Sequence, residues 1–155
     1  MPGTGGARRV TRKIKKFRKN RLTIFLFWNT LWVRRGTCNV FDITFYEREN
    51  GERPVEDFLD SLNAKMRAKA VRSLELLEEF GNRLTEPHSK YLSDGIFELR
   101  IKFAGDISRI FYFFFVQNKI VLTNGFIKKT QATPKSELGR AKKYKADYER
   151  RFSHE

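Results

Sequence analysis

Six cations stand out by type and spacing: Lys90, Arg100, Lys102, Arg109, Lys128 and Lys129. All but the first lie in residues 97–134, FELRIKFAGDISRIFYFFFVQNKIVLTNGFIKKTQATP, where apolar runs and turn signals mark three consecutive strands. Arg100 and Lys102 fall on the first, Arg109 on the second, and the lysine pair at the end of the third. A small sheet that gathers cations onto one patch is suited to gripping phosphates. Arginine is the natural stabiliser there, because its planar fork meets phosphate oxygens bidentately. Cations can also cleave RNA, since the ribose 2′-OH is itself the nucleophile and attacks the adjacent phosphate. The protein then has to hold the sugar–phosphate in line, neutralise the phosphorane charge and manage two protons. A lysine among other cations loses its proton more readily and can act as base. The same pattern also fits a sheet that carries exposed Lys and Arg only for solubility.

Other chemistries find little support. His88 and His154 are the only histidines, one in a loop and one in the tail, and no carboxylates cluster at ligand spacing. Metal catalysis and a Ser/His/acid triad are therefore not expected, and no cofactor is implied. Cys38 is alone, so a disulfide framework is not available, which is compatible with a reducing cytoplasm.

The elements that must position the cations can be read from periodicity. Residues 40–46 alternate as a first strand, closed by the turn signal Asn50-Gly51. Pro54 opens a helix with Val55, Phe58, Leu59 and Leu62 on one face. Asn63 caps a second helix over residues 64–80, with Met66, Ala70, Leu74 and Leu77 inward and Gly81 closing it. Residues 82–94 read as a polar loop that carries Lys90. Strands follow over 96–103, 108–116 and 119–126, with Gly105-Asp106 and Gln117-Asn118 as turns. Thr133-Pro134 makes a cap and first position for a closing helix to Phe152, with Tyr144 and Tyr148 as packing residues. The order is β-α-α-β-β-β-α, an α+β fold. Its small, mostly antiparallel sheet is flanked by an N-terminal helical hairpin and a C-terminal helix. Strand alternation places Phe97, Leu99, Ile101 and Phe103 on one face and Glu98, Arg100 and Lys102 on the other. Arg109 shares its face with Phe111, Phe113 and Phe115.

The formal net charge of +14 is unevenly spread. Residues 1–39 hold 11 Arg and Lys and no acid, so the remainder of the chain is close to balanced. The apolar run 22–33 is shorter than the roughly 20 residues a membrane span needs. Arg34-Arg35 follow it where a signal peptide would want small residues. Residues 1–39 read as a basic and apolar leader, disordered or translated from DNA upstream of the true start at Val40. Residues 40–155 form the domain, and no membrane association is expected.

PVEDFLDSL, FELRIKFAGDISRIFYFF and KIVLTNGFIKKTQATPKSEL, followed by a basic helix, resemble the RelE/ParE superfamily. Over residues 40–152 the likeness is closest to the phage-derived, HigB-like toxins of type II toxin–antitoxin modules. The resemblance implies a RelE-like fold and a cytoplasmic endoribonuclease that cleaves mRNA in the ribosomal A site, an mRNA interferase. A HigA-like helix-turn-helix antitoxin would hold it in check. By position, Arg100, Arg109 and the Lys128-Lys129 pair match basic residues of the family and Lys90 is a looser match; Arg100, Arg109 and Lys129 are the expected catalytic cations, and Lys90, Lys102 and Lys128 the expected RNA- or phosphate-binding ones. Relatives often place a Tyr or His near the start of the last helix, where this chain has Thr133-Pro134-Lys135, and a second Lys where it has Glu98. Glu98 is either a general base or, the expected role, an ion-pair partner. The alternative within the superfamily is a ParE-like, non-catalytic inhibitor of DNA gyrase.

Overall fold

Proline has no N–H to lose at the first turn of a helix, where the amides have no intrahelical partner. Helix α1 accordingly begins at Pro54 and runs Pro54–Ser61. The Asn63 side chain accepts the Met66 N–H at 2.9 Å and starts α2, Ala64–Phe80. Gly81 closes α2 at φ +49 and leads into a 3₁₀ turn, Gly81–Arg83. The five strands are β1 (Asp42–Phe45), β2 (Ser89–Ser93), β3 (Ile96–Phe103), β4 (Asp106–Phe115) and β5 (Lys119–Ile127). Helix α3, Lys135–Phe152, completes the domain. This computed structural model describes residues 41–116, 118–129 and 132–153. The expectations for the leader, Val40 and Gln117 lie outside them.

The architecture is mixed α/β, with one five-stranded sheet and three helices. Strand order is β1-β5-β4-β3-β2; β1 runs parallel to β5 and the other neighbours are antiparallel. One sheet face packs Leu99, Ile101, Ile110, Tyr112, Ile120 and Leu122 against Val55 of α1 and Met66, Ala70, Leu74 and Leu77 of α2. The other packs Ile96, Phe111, Phe113 and Val121 against Ala141, Tyr144 and Tyr148 of α3. Tyr144 and Tyr148 are thus packing residues.

Four expectations are corrected. The helix pair is not N-terminal, because it follows β1. Residues 82–94 are not all loop: Ser89–Ser93 pairs with β3, so the order is β-α-α-β-β-β-β-α. The cause is Asp94-Gly95, at φ +50 and +74, whose backbone matches the twist of a tight hairpin. The β3–β4 turn sits one residue earlier than Gly105-Asp106, on Ala104-Gly105, since Phe103 pairs with Asp106. Lastly, α3 starts one position later: Pro134 is its N-cap and the Thr133 side chain does not cap it.

Helix α3 is braced at both ends. Near its start, the Asn124 amide of β5 donates to the Glu137 carboxylate at 2.9 Å. Further along, Tyr144 stacks on Tyr46 at 4.5 Å, with Arg48 over the one ring and Arg151 over the other. The Tyr46 hydroxyl donates to Asp147 at 2.8 Å, and burial followed by this bond raises its pKa to about 12. Among the described residues, no helix is long and apolar enough to cross a membrane.

Two stability predictions follow from these contacts. A Cβ on Gly125 would overlap the Phe58 ring, which α1 lays against β5. Gly125→Ala is expected to lower stability by about 1–3 kcal/mol in urea unfolding. Arg150 first, and then Tyr46, hold the Asp147 carboxyl below the usual carboxylate range. Its contribution is therefore complete above the unfolded value of about 3.9 and is lost as pH falls through the folded value. Asp147→Asn should lower Tm at neutral pH and flatten the fall in Tm on acidification below about pH 4.

Candidate active site

Period-two alternation and strand register bring the candidate cations together. Arg100 of β3 stands directly opposite Arg109 of β4, and Phe126 of β5 lies beyond Arg109. One step along the ladder, Lys90 of β2 is opposite Glu98, which is opposite Phe111. One step the other way, Lys102 is opposite Ile107, whose carbonyl accepts the Lys128 N–H at 2.7 Å. Residues opposite one another share a face. Lys90, Glu98, Arg100, Lys102 and Arg109 therefore lie on the face that α3 packs against.

Glu98 is the centre of the group. It is 2% exposed, and its two oxygens point to different arginines. Arg100 Nε donates to Oε1 at 2.8 Å, while Arg109 Nε lies 3.6 Å from Oε2. Thr133 Oγ1, released from capping α3, donates to that second oxygen at 3.4 Å. Glu98 thus takes the ion-pair role. Arg100 also reaches the exposed Glu86 through Nη1 at 3.4 Å.

Arg109 is 4% exposed, so it is not a surface cation. Its Nη1 donates to the Ser108 carbonyl at 3.4 Å, but among the described residues its Nε has no hydrogen-bond partner. Burial pulls its pKa below the ordinary arginine value; Glu98 opposes this and the charge on Arg100 adds to it. Within the described residues its charge is therefore only partly compensated.

The remaining cations lie on or next to strands of the same sheet. Lys90 and Lys102 are exposed on their strands, and Lys128 is half-buried just past β5. Lys129 is exposed beyond the ladder, and among the described residues nothing joins its side chain to the arginine pair. The strand alternation that put Glu98 beside Arg100 was visible in the sequence. Thr133 was not marked as a site residue, since Thr before Pro at a helix start reads as a cap. Among the described residues, no group of three or more His, Cys, Asp or Glu is placed to hold a metal ion.

Residues 57–146 match the family model for phage-derived Gp49-like proteins. The chain belongs to that family. No curated protein matches the chain. The Gp49-like region begins inside α1 and ends inside α3, so it contains the whole Glu98–Arg100–Arg109 group but not β1.

The burial of the group sets up an asymmetry. Glu98→Ala leaves the buried Arg109 without its carboxylate and Arg100 with only the exposed Glu86, and is expected to cost about 3–5 kcal/mol. Arg109→Met removes the desolvated cation while Arg100 still neutralises Glu98, so its cost should stay below about 1.5 kcal/mol. Urea unfolding of the two variants checks the difference. Equal losses would contradict the reading of Arg109 as the poorly compensated partner.

Proposed function

We propose that this Gp49-like protein is the toxin of a type II toxin–antitoxin module with a RelE/ParE-type fold. In this reading it is a cytoplasmic endoribonuclease that cuts mRNA in the ribosomal A site. A helix-turn-helix antitoxin holds it inactive. The family is related to toxins of such modules, which supports the class. The observation that carries the chemistry is the Arg100–Arg109 pair. Like charges directly opposite in a sheet are destabilising, and burying one of them adds a desolvation cost. Neither cost is needed to build this fold, whereas both are understandable if the pair must meet a phosphate.

The proposed reaction is a transesterification. The 2′-OH loses its proton and its oxygen attacks the neighbouring phosphorus. The bond to the 5′ oxygen breaks and that oxygen takes up a proton. The products are a 2′,3′-cyclic phosphate and a 5′-OH end. Arg100 and Arg109 offset the growing charge on the phosphorane oxygens, where preorganised donors contribute most. Lys129 approaches the same phosphate from the end of β5. Lys90, Lys102 and Lys128 bind phosphates on either side and keep the strand in line.

The test is cleavage of a defined mRNA with and without translating ribosomes, with both new ends mapped. Cuts in codon phase, only with ribosomes, are expected. Arg109→Met should lower kcat about 10²–10³-fold, the range for losing one stabilising donor. Intact mRNA together with inhibited DNA supercoiling by gyrase would replace this reading with the gyrase-inhibitor alternative.

A further inference from the structure

We infer that Glu98 is a positioning residue, a buried carboxylate that holds Arg100 and Arg109 together as one phosphate-binding unit. The inference deepens the endonuclease reading, and its catalytic part rests on that reading. Two guanidiniums directly opposite each other repel, and each long side chain has many rotamers to lose. Left alone they would splay apart and bind a phosphate one at a time. Glu98 opposes both tendencies because each of its oxygens serves a different arginine, at 2.8 Å and 3.6 Å.

The choice of atoms matters. Both arginines turn Nε toward Glu98, while a terminal nitrogen of Arg100 meets Glu86 and one of Arg109 meets the Ser108 carbonyl. On Arg100 the outward contact is Glu86, a carboxylate 61% exposed at its side chain and therefore easily displaced by phosphate. Glu98, 2% exposed, is not displaced in this way and keeps the arginine orientation through turnover. Thr133 adds a third anchor, tying the carboxylate to the residue just before the Pro134 cap of α3. The geometry of the pair is thereby coupled to the docking of that helix. Both oxygens of Glu98 face arginines or Thr133, so its role is orientation rather than proton transfer.

The experiment follows Arg Nε–H exchange by nitrogen-15 NMR, alongside single-turnover cleavage on ribosomes carrying mRNA. In the wild type, the Nε–H protons of Arg100 and Arg109, assigned by Arg→Lys variants, should exchange slowly. Glu98→Gln should speed their exchange at least about tenfold and cut kcat about 100-fold with KM changed less than about threefold. The binding cations remain while their alignment is lost, which a purely structural role would not produce. Glu98→Asp keeps the charge at the site and withdraws it by one methylene. It should recover about tenfold in kcat over Gln, and it decides the matter if the Gln variant fails to fold. Wild-type exchange and wild-type kcat in a folded Gln or Asp variant would overturn the inference. Should the wild-type protein leave mRNA intact, the endonuclease reading falls. Exchange alone then decides the clamp: faster in the variants upholds it, unchanged refutes it.

Discussion

The register of β3 against β4 is the constraint on which the site depends. It sets Leu99 against Ile110 and Phe97 against Tyr112 on the α1–α2 face, and Arg100 against Arg109 on the other. Side chains alternate with a period of two, so a slip of one residue would exchange the faces of a whole strand. Such a slip would drive Glu98 and Arg100 into the core beneath α2 and strip Leu99 and Ile101 from it. Apolar packing on the far side of the sheet therefore holds the charged group in place from the opposite face.

A second constraint comes from β5. Tyr112 pairs with Leu122 and Phe111 with Asn124, so Thr123 is an extra residue in a bulge. The Thr123 hydroxyl donates to the Phe111 carbonyl at 3.2 Å. Beyond the bulge the faces of β5 are reversed relative to a continuous ladder. Asn124 then reaches Glu137 at the start of α3, and Phe126 stands beside Arg109. Without the extra residue, both would point toward α1, where Gly125 now admits the Phe58 ring. The bulge thus links helix docking to the wall of the charged group.

The group also shows where the chain departs from what stability alone favours. A cation beside aromatic residues, two like charges face to face, and a nearly inaccessible carboxylate all run against simple rules for a sheet. All three occur together on one patch. Such local conflict within an otherwise consistent sequence is the usual mark of a functional site. Here it falls wholly inside the region that places the chain in the Gp49-like family.

Much of this was legible in the sequence. Pro54, Asn63 and Gly81 bounded the two helices because caps and breakers act within a turn of themselves. Strand alternation told which residues share a face, and so grouped Glu98 with Arg100 and Lys102. Local signals did not reveal β2, although Asp94-Gly95 is a strong hairpin turn, because the strand's two apolar residues, Tyr91 and Leu92, are adjacent and do not alternate. Pairing with β3 made them a strand. Nor could they show the bulge at Thr123, since one extra residue matters only against a partner strand. The fate of Thr133 was likewise decided in three dimensions, where a buried carboxylate competes for its hydroxyl with the helix it precedes. Local chemistry determined which residues are cations and which way they face. Only tertiary structure decided that Arg109 is buried and that one glutamate holds it beside Arg100, because burial and register are properties of the assembled sheet.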